Sequence, residues 1–390
     1  MRILAVVARR SDLLAAAPLV AALRGRSGFR AALLHLLQQG PAERNLACAT
    51  DFGAHGLAGC DLHLGVNAGG RGLADAMDQE LEPLLRRERP ELLLVAGDDD
   101  ADLSAARIAV RLGLAVAHLE AGLRFPHVDV PGHERRARLD HLSAWCFTAD
   151  AEADRNLRQE GVPESRIVRV GSPRADAVLR LRAAARAAAV PARLGLAGAP
   201  YAALLLEETG RLGTEGFLRL AAALREAAAA APLPILAPSQ PGTAVGPVFR
   251  VWSPGRTPAP GHLWLLPPLS VVELLGLAEG AAAVVTDSTA VADEAAVLGV
   301  PCLLLRDASD RPWLLREREG TTLALGWDAA ALAAGLADAA GGTFPTAGPP
   351  ALSDGRAALR VVQHLAFLSG EEAAVKPAAL AADAGDEEAD

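Results

Sequence analysis

Residues 91–138 read ELLLVAGDDDADLSAARIAVRLGLAVAHLEAGLRFPHVDVPGHERRAR. Gly97-Asp98 breaks a short apolar run, and apolar residues then recur at helical spacing before a second apolar run. A strand, a helix and a strand of this length predict a right-handed crossover between parallel strands. Asp98 and Glu120 then follow the carboxyl ends of two strands, where α/β proteins place their sites. We expect the proline- and glycine-punctuated loop after Glu120 to fold Glu134 back over them.

The composition indicates a globular protein of two domains and argues against nucleic-acid-binding and membrane-spanning proteins. The chain has 390 residues, of which 51% are hydrophobic, enough for two cores of ordinary size. A formal charge of -9 argues against a nucleic-acid-binding surface, which needs clustered Lys and Arg. No apolar run reaches the roughly 18 residues of a membrane span, and the first residues are typical of a buried strand rather than a signal peptide. We expect a cytoplasmic protein without nucleic-acid or membrane partners.

Cysteine usage argues against a disulfide framework or a metal site. We find no close pairing of cysteine with cysteine or histidine, so neither disulfides nor a zinc site is expected. Polar residues at 127–134 are dense enough to hold a divalent metal, but their spacing fits no standard zinc pattern. The cysteines stand in apolar or irregular settings, at Cys48, Cys60, Cys146 and Cys302.

Five segments resemble motifs of the bacterial UDP-N-acetylglucosamine 2-epimerase family, in the same order along the chain. The family motifs are Gly-Asp-Thr-Thr, His-Val-Glu-Ala-Gly-Leu-Arg, Pro-Glu-Glu-Ala-Asn-Arg, Thr-Asp-Ser-Gly-Gly-Ile-Gln-Glu-Glu-Ala and Arg-Asp-Thr-Thr-Glu-Arg-Pro. The corresponding segments here are Gly97–Asp100, His118–Arg124, His133–Arg138, Thr286–Ala295 and Arg306–Pro312. An ordered set of this kind is far more specific than a single glycine motif.

The resemblance implies the GT-B arrangement, an α/β fold of two doubly wound Rossmann-like domains that face a central cleft. The alternation of strand and helix patterns along the chain predicts the same class. The expected parts are a first domain at 1–177 with the acid-base residues, a connecting segment at 178–200, a second, UDP-binding domain at 201–353, a helix returning to the first domain at 354–370 and a disordered acidic tail at 371–390.

The resemblance also implies an enzyme that eliminates UDP from a UDP-N-acetylhexosamine and then adds back UDP, giving the C2 epimer, or adds water. Asp98, Glu120 and Glu134 resemble the family's acid-base carboxylates, and their mutual repulsion should raise the pKa of at least one. Neither a metal nor a cofactor is implied, and the expected partners are a UDP-sugar and a second copy of the chain.

The expected UDP-binding residues lie mainly where a strand ends and a helix begins in the second half of the chain. The free N–H groups of such a helix start favour a diphosphate. Glu294 matches the family glutamate that holds the ribose hydroxyls. The full set of expected contacts to UDP is Arg10, Arg138, Ser288, Thr289 and Glu294.

Several residues depart from the family pattern and keep other functions open. The family's histidine aligns with Glu208, its lysine with Ala15, and its two glycines with Thr289 and Ala290. Each carboxylate alone is also typical of a helix cap or an ion pair, and Ser288 of a simple N-cap. The alternatives are a non-catalytic or repurposed sugar-nucleotide-binding homolog and a GT-B glycosyltransferase.

Overall fold

A computed structural model gives the structure of most of the chain. The predicted tail, the loop at 127–131 and Glu208 lie outside the described residues, as does the side chain of Arg10. The structure describes residues 1–38, 49–66, 73–126, 132–207, 213–239, 250–251, 255–318, 320–345, 347–348 and 351–370.

The first seven strands form one parallel sheet. They are β1 (Arg2–Val7), β2 (Arg30–Gln38), β3 (Leu62–Val66), β4 (Leu92–Val95), β5 (Ala115–Leu119), β6 (Trp145–Thr148) and β7 (Ile167–Arg169). Their order is β3-β2-β1-β4-β5-β6-β7. The winding therefore reverses between β1 and β4, and such a reversal opens a crevice at the carboxyl ends of the two strands.

The second sheet repeats this plan with the next seven strands, again all parallel. They are β8 (Ala202–Leu205), β9 (Ile235–Pro238), β10 (Arg250–Val251), β11 (Leu263–Leu266), β12 (Ala283–Thr286), β13 (Cys302–Leu304) and β14 (Thr322–Ala324). Their order, β10-β11-β9-β8-β12-β13-β14, places the second reversal between β8 and β12. The two sheets confirm the predicted α/β class.

Helices connect the strands. In the first half they are α1 (Arg10–Arg24), α2 (Ala49–Ala54), α3 (Leu73–Glu88), α4 (Asp100–Arg111), α5 (His133–Leu142) and α6 (Ala151–Gln159). The remaining helices are α7 (Pro173–Ala187), α8 (Val190–Arg193), α9 (Gly213–Ala230), α10 (Val271–Glu279), α11 (Thr289–Leu298), α12 (Ala329–Ala340) and α13 (Ala357–Leu368). None of the helices in the described ranges has the length and apolar character that a membrane crossing needs.

Helix α13 packs against the first sheet although it ends the described chain. Val361 and Leu365 are fully buried in the same apolar cluster as residues of α1 and β2. Asp176, near the start of α7, accepts hydrogen bonds from the backbone N–H groups of Ala357 and Ala358 at 3.0 and 2.7 Å. Helix α7 runs through the boundary predicted at residue 177 and so ties the two halves together.

Candidate active site

The turn after β5 holds Glu120 in an uncommon backbone conformation. Its φ is +56°, in the left-handed region that residues other than glycine seldom adopt. Gly122 has a φ of +77°, and a Cβ at this position would collide with the backbone of Ala153. Strained backbone of this kind persists only where the surroundings fix it, often at functional sites.

Asp140, buried on α5, fixes this turn. Its Oδ2 accepts a hydrogen bond from the backbone N–H of Gly122 at 3.1 Å, and its Oδ1 lies 2.6 Å from Nδ1 of His118. Arg124 Nη2 donates to Asp140 Oδ2 at 2.7 Å. Burial opposes ionisation, but His118 and Arg124 outweigh it, so the pKa of Asp140 is lowered. An ionised carboxylate therefore organises the His118–Arg124 motif.

Glu120 is buried, and both of its oxygens contact arginines. Arg174 Nε donates to Oε1 and Oε2 at 3.2 and 3.1 Å, and Arg311 Nη2 lies 3.1 Å from Oε2. Burial alone would raise the pKa of Glu120, but the two guanidinium groups outweigh burial and lower it. Glu120 is therefore ionised at neutral pH, and the raised pKa expected of a grouped carboxylate is not found there.

Asp98 lies between two arginines at the first reversal of winding. Arg9, which follows β1, donates from Nη2 to Asp98 Oδ1 at 2.9 Å. Arg136 donates from Nε to Asp98 Oδ2 at 3.1 Å, and its Nη2 contacts the same oxygen. The residue before Asp98 must be glycine, because a Cβ at Gly97 would collide with the carboxylate of Asp102 on α4.

Helix α5 brings Arg136 to the cleft and turns the two residues predicted there away from it. Arg136 and Asp140 are four residues apart and so share one face of the helix. Glu134 and Arg138 pair with each other on another face, where their side chains are 78% and 64% exposed. The structure therefore does not bring Glu134 together with Asp98. This corrects the expected position of Glu134 and Arg138, because the phase of a helix that begins at His133 turns both outward.

At the second reversal of winding, a carboxylate lies at the start of α11. Ser288 follows β12 and caps the helix, accepting a hydrogen bond from Val291 N at 3.4 Å. The Ser288 hydroxyl donates to Glu207 Oε2 at 2.9 Å, and the backbone N–H of Glu207 donates to Asp287 Oδ1 at 2.8 Å. Glu207 thus occupies the positive end of a helix, a position that favours an anion.

The other predicted UDP-binding residues of the second half contact the arginines of the site. Thr289 Oγ1 accepts a hydrogen bond from Arg311 Nη1 at 3.1 Å. Glu294 Oε1 lies 3.6 Å from Arg174 Nη1. Glu207 and Glu294 also line an apolar cleft between α10 and α11. An apolar cleft with a few polar groups is typical of small-molecule sites.

Ion pairs connect the two reversals of winding in one continuous row. Arg136 Nη1 donates to Asp310 Oδ2 at 2.6 Å, and Arg311 Nη1 donates to Asp310 Oδ1 at 3.2 Å. Burial opposes ionisation of Asp310, but Arg311 and Arg136 lower its pKa to about 2. The row, called the charge chain below, runs through Asp98, Arg136, Asp310, Arg311, Glu120, Arg174 and Glu294.

Sequence reasoning missed four arginines of this site. Arg136 and Arg311 stand inside motif segments and could have been found by asking which residue of each segment faces inward. Nothing in the sequence marks Arg174, which belongs to no motif segment. The missed residues are Arg9, Arg136, Arg174 and Arg311.

Residues 54–366 match the family model described as UDP-N-acetylglucosamine 2-epimerase. The chain belongs to this family. A UDP-N-acetylglucosamine 2-epimerase of Methanococcus maripaludis is 28% identical over 263 residues, which are 65% of this chain and 70% of the relative. A UDP-2,3-diacetamido-2,3-dideoxy-D-glucuronate 2-epimerase of Pseudomonas aeruginosa is 28% identical over 319 residues, 80% of this chain and 84% of the relative.

A solved structure of the family supports the fold. The Methanocaldococcus jannaschii UDP-GlcNAc 2-epimerase, in complex with UDP-GlcNAc and UDP, superposes with a TM-score of 0.77 at 23% identity. The match covers 94% of this chain and 100% of that one. The predicted GT-B fold of two Rossmann-like domains and the predicted membership in the epimerase family are both confirmed.

Proposed function

We propose that this protein eliminates UDP across C1 and C2 of a UDP-N-acetylhexosamine and adds it back to give the C2 epimer. The observation that carries the proposal is the charge chain, which joins two strand-end carboxylates, Asp98 and Glu120, to Glu294 on α11. Arg311 of this chain also donates to Thr289 at the start of the same helix. Family membership supports the same reaction class. Addition of water instead of UDP would make the protein a hydrolase acting on the same substrate.

The proposed chemistry divides the cleft into two functions. Elimination removes the proton at C2 while the bond from C1 to the diphosphate oxygen breaks. Glu120 is an ionised carboxylate and Asp98 the second one facing the cleft, so we assign proton transfer to them. Arg136, Arg174 and Arg311 supply positive charge for the departing diphosphate, the type of stabilisation that contributes most when the groups are already in place.

The groups assigned to UDP contact one another, so binding requires an exchange of partners. The Ser288 hydroxyl must leave Glu207 to donate to a phosphate oxygen. Glu294 must share or leave Arg174 to accept from the ribose hydroxyls. We assign the expected contacts of Thr289 to phosphate and of Arg10 to the diphosphate charge as parts of the same proposal. Glu134 and Arg138 carry no assignment, because both are exposed.

The decisive experiment replaces a buried and an exposed glutamate by glutamine. With UDP-N-acetylglucosamine or its manno epimer in heavy water, the protein should place deuterium at C2 or release UDP. Glu120→Gln should reduce both rates by about 10² to 10⁴, the usual effect of losing an acid-base group. Glu134→Gln, the matched control, should leave both rates within a factor of two or so, because its side chain is exposed.

Two results would reject the proposal or change its residues. If the unaltered protein binds UDP but neither exchanges the C2 hydrogen nor releases UDP from any hexosamine donor, the epimerase reaction is excluded. If Glu134→Gln is as damaging as Glu120→Gln, the carboxylate on α5 takes part in the reaction, and the assignment based on exposure is wrong.

A second candidate, a sugar-nucleotide-binding homolog without catalysis, is favoured by one observation. Glu207 fills the helix start where an anion would bind, and both oxygens of Glu120 are held by arginines. Glu207→Gln removes the competing charge while keeping the shape, so we expect tighter UDP binding by about tenfold, or about 1.4 kcal/mol. Calorimetric titration with UDP measures it. Unchanged or weaker affinity would show that Glu207 does not compete with the diphosphate.

A further inference from the structure

A cluster of metal-ligating side chains lies on the first sheet, outside the cleft. His35 on β2 and His63 on β3 are register partners on adjacent parallel strands, so both side chains leave the same face. Cys60 comes just before β3. Its Sγ and the ligating nitrogens of the two imidazoles all lie within 4.8 Å of one another. Strand pairing thus assembles three ligands that are far apart in sequence.

The two imidazoles have no other polar partner within the described ranges of the chain. Their rings meet edge to face, with centroids 5.8 Å apart and planes at 72°, and neither ring has a hydrogen bond to a described residue. His35 is buried, with 5% of its surface exposed. A shared ligand between the rings would give both imidazoles a polar partner.

We propose that His35, Cys60 and His63 bind a zinc ion. Two imidazoles and a thiolate are ligands that Zn²⁺ prefers, and three protein ligands leave a fourth position for water. The nearby Asp61 is engaged elsewhere, since its Oδ2 accepts from Leu33 N at 2.7 Å and pairs with an arginine of α1. His63 is exposed, so the ion can reach the site from solvent.

In the proposed binding step, the zinc ion replaces the thiol proton of Cys60. A Zn–S bond replaces the S–H bond of Cys60, and the thiol proton passes to the buffer, while each imidazole binds through a nitrogen lone pair. Zinc would also fasten β3, the edge strand of the sheet, to β2. No zinc site is expected from the sequence alone. Cys60 and His63 stand three residues apart, but His35 joins them only through strand pairing.

The test uses the full chain, stripped of metal with a chelator and titrated with Co²⁺ as a spectroscopic probe. We expect one equivalent of Co²⁺ with thiolate-to-cobalt charge-transfer absorption, release of about one proton per ion, and displacement of the cobalt by Zn²⁺. Added Zn²⁺ should raise the melting temperature, because it binds the folded site. Absence of cobalt binding at micromolar concentration would overturn the proposal.

Variants identify the ligands. Cys60→Ser should abolish the charge-transfer band, and His63→Gln, at an exposed position, should weaken cobalt binding at least tenfold while the fold is kept, as judged by circular dichroism. Cys302→Ala, in β13 of the other sheet, should leave the titration unchanged. A charge-transfer band that survives Cys60→Ser, or binding that His63→Gln does not weaken, would overturn the assignment.

Discussion

The turn after β5 and helix α5 contact each other, yet they hold their charged residues in different ways. In the turn, positive φ values at Glu120 and Gly122 fix the path of the backbone, and with it the point from which the Glu120 side chain leaves. Along α5, the direction depends only on helical phase, so Arg136 faces inward while Glu134 faces solvent. A shift of one residue along a helix rotates a side chain by about 100°. A tight turn thus fixes the direction of a side chain through its backbone conformation, whereas a helix fixes it through the position of the residue along the helix.

The largest effect is expected where the helix supports the turn. Asp140→Asn leaves Arg124 and His118 without their buried carboxylate, so the free energy of unfolding should fall by about 3–5 kcal/mol. Chemical denaturation followed by circular dichroism measures this loss. Glu160→Gln is the matched control, since Glu160 pairs with the same Arg124 from a more exposed position, and it should change stability by less than about 1 kcal/mol. Equal effects of the two substitutions would mean that Asp140 does not organise the turn.

The next effect tests helical phase directly. Arg136→Ala breaks the pairs with Asp98 and Asp310 and should lower the free energy of unfolding by about 3 kcal/mol. Arg138→Ala, the same substitution at an exposed position, should change it by less than about 0.5 kcal/mol. UDP affinity should fall only in the first variant. If Arg138→Ala proves the more damaging of the two, the register of α5 is wrong.

A smaller effect should depend on pH. Because the pKa of Asp310 is lowered to about 2 from an unfolded value near 3.9, its ion pairs contribute about 2–3 kcal/mol above pH 5 or so. This contribution is lost as the pH falls through about 2. The unaltered protein should therefore exceed Asp310→Asn in stability by that amount at neutral pH, and the difference should shrink in acid. Urea unfolding across pH measures it. A stability difference that does not change with pH would show that the charge of Asp310 is not the cause of the stabilisation.

The fold was predictable because local patterns of apolar and polar residues indicate its strands and helices. The site was predictable only in part. Asp98 and Glu120 follow apolar runs, so the rule that parallel strands carry sites at their carboxyl ends finds them. Ser288 begins a helix after a strand and is found in the same way. Glu134 and Arg138 were placed by motif letters, which carry no information on helical phase. Arg174 reaches Glu120 from α7, and no local pattern reports such a long-range contact.

The charge chain means that the two sheets can separate only if its ion pairs exchange their partners. Arg136 and Glu120 on the first side are bound to Asp310 and Arg311 on the second, and all four are largely hidden from water. Separating the two halves of the molecule would leave these charges without partners, unless water or an anion replaces each lost partner. A diphosphate can do this for the arginines alone. Under the proposed function, opening of the cleft and arrival of the diphosphate are therefore coupled, because each arginine that leaves a carboxylate gains a phosphate.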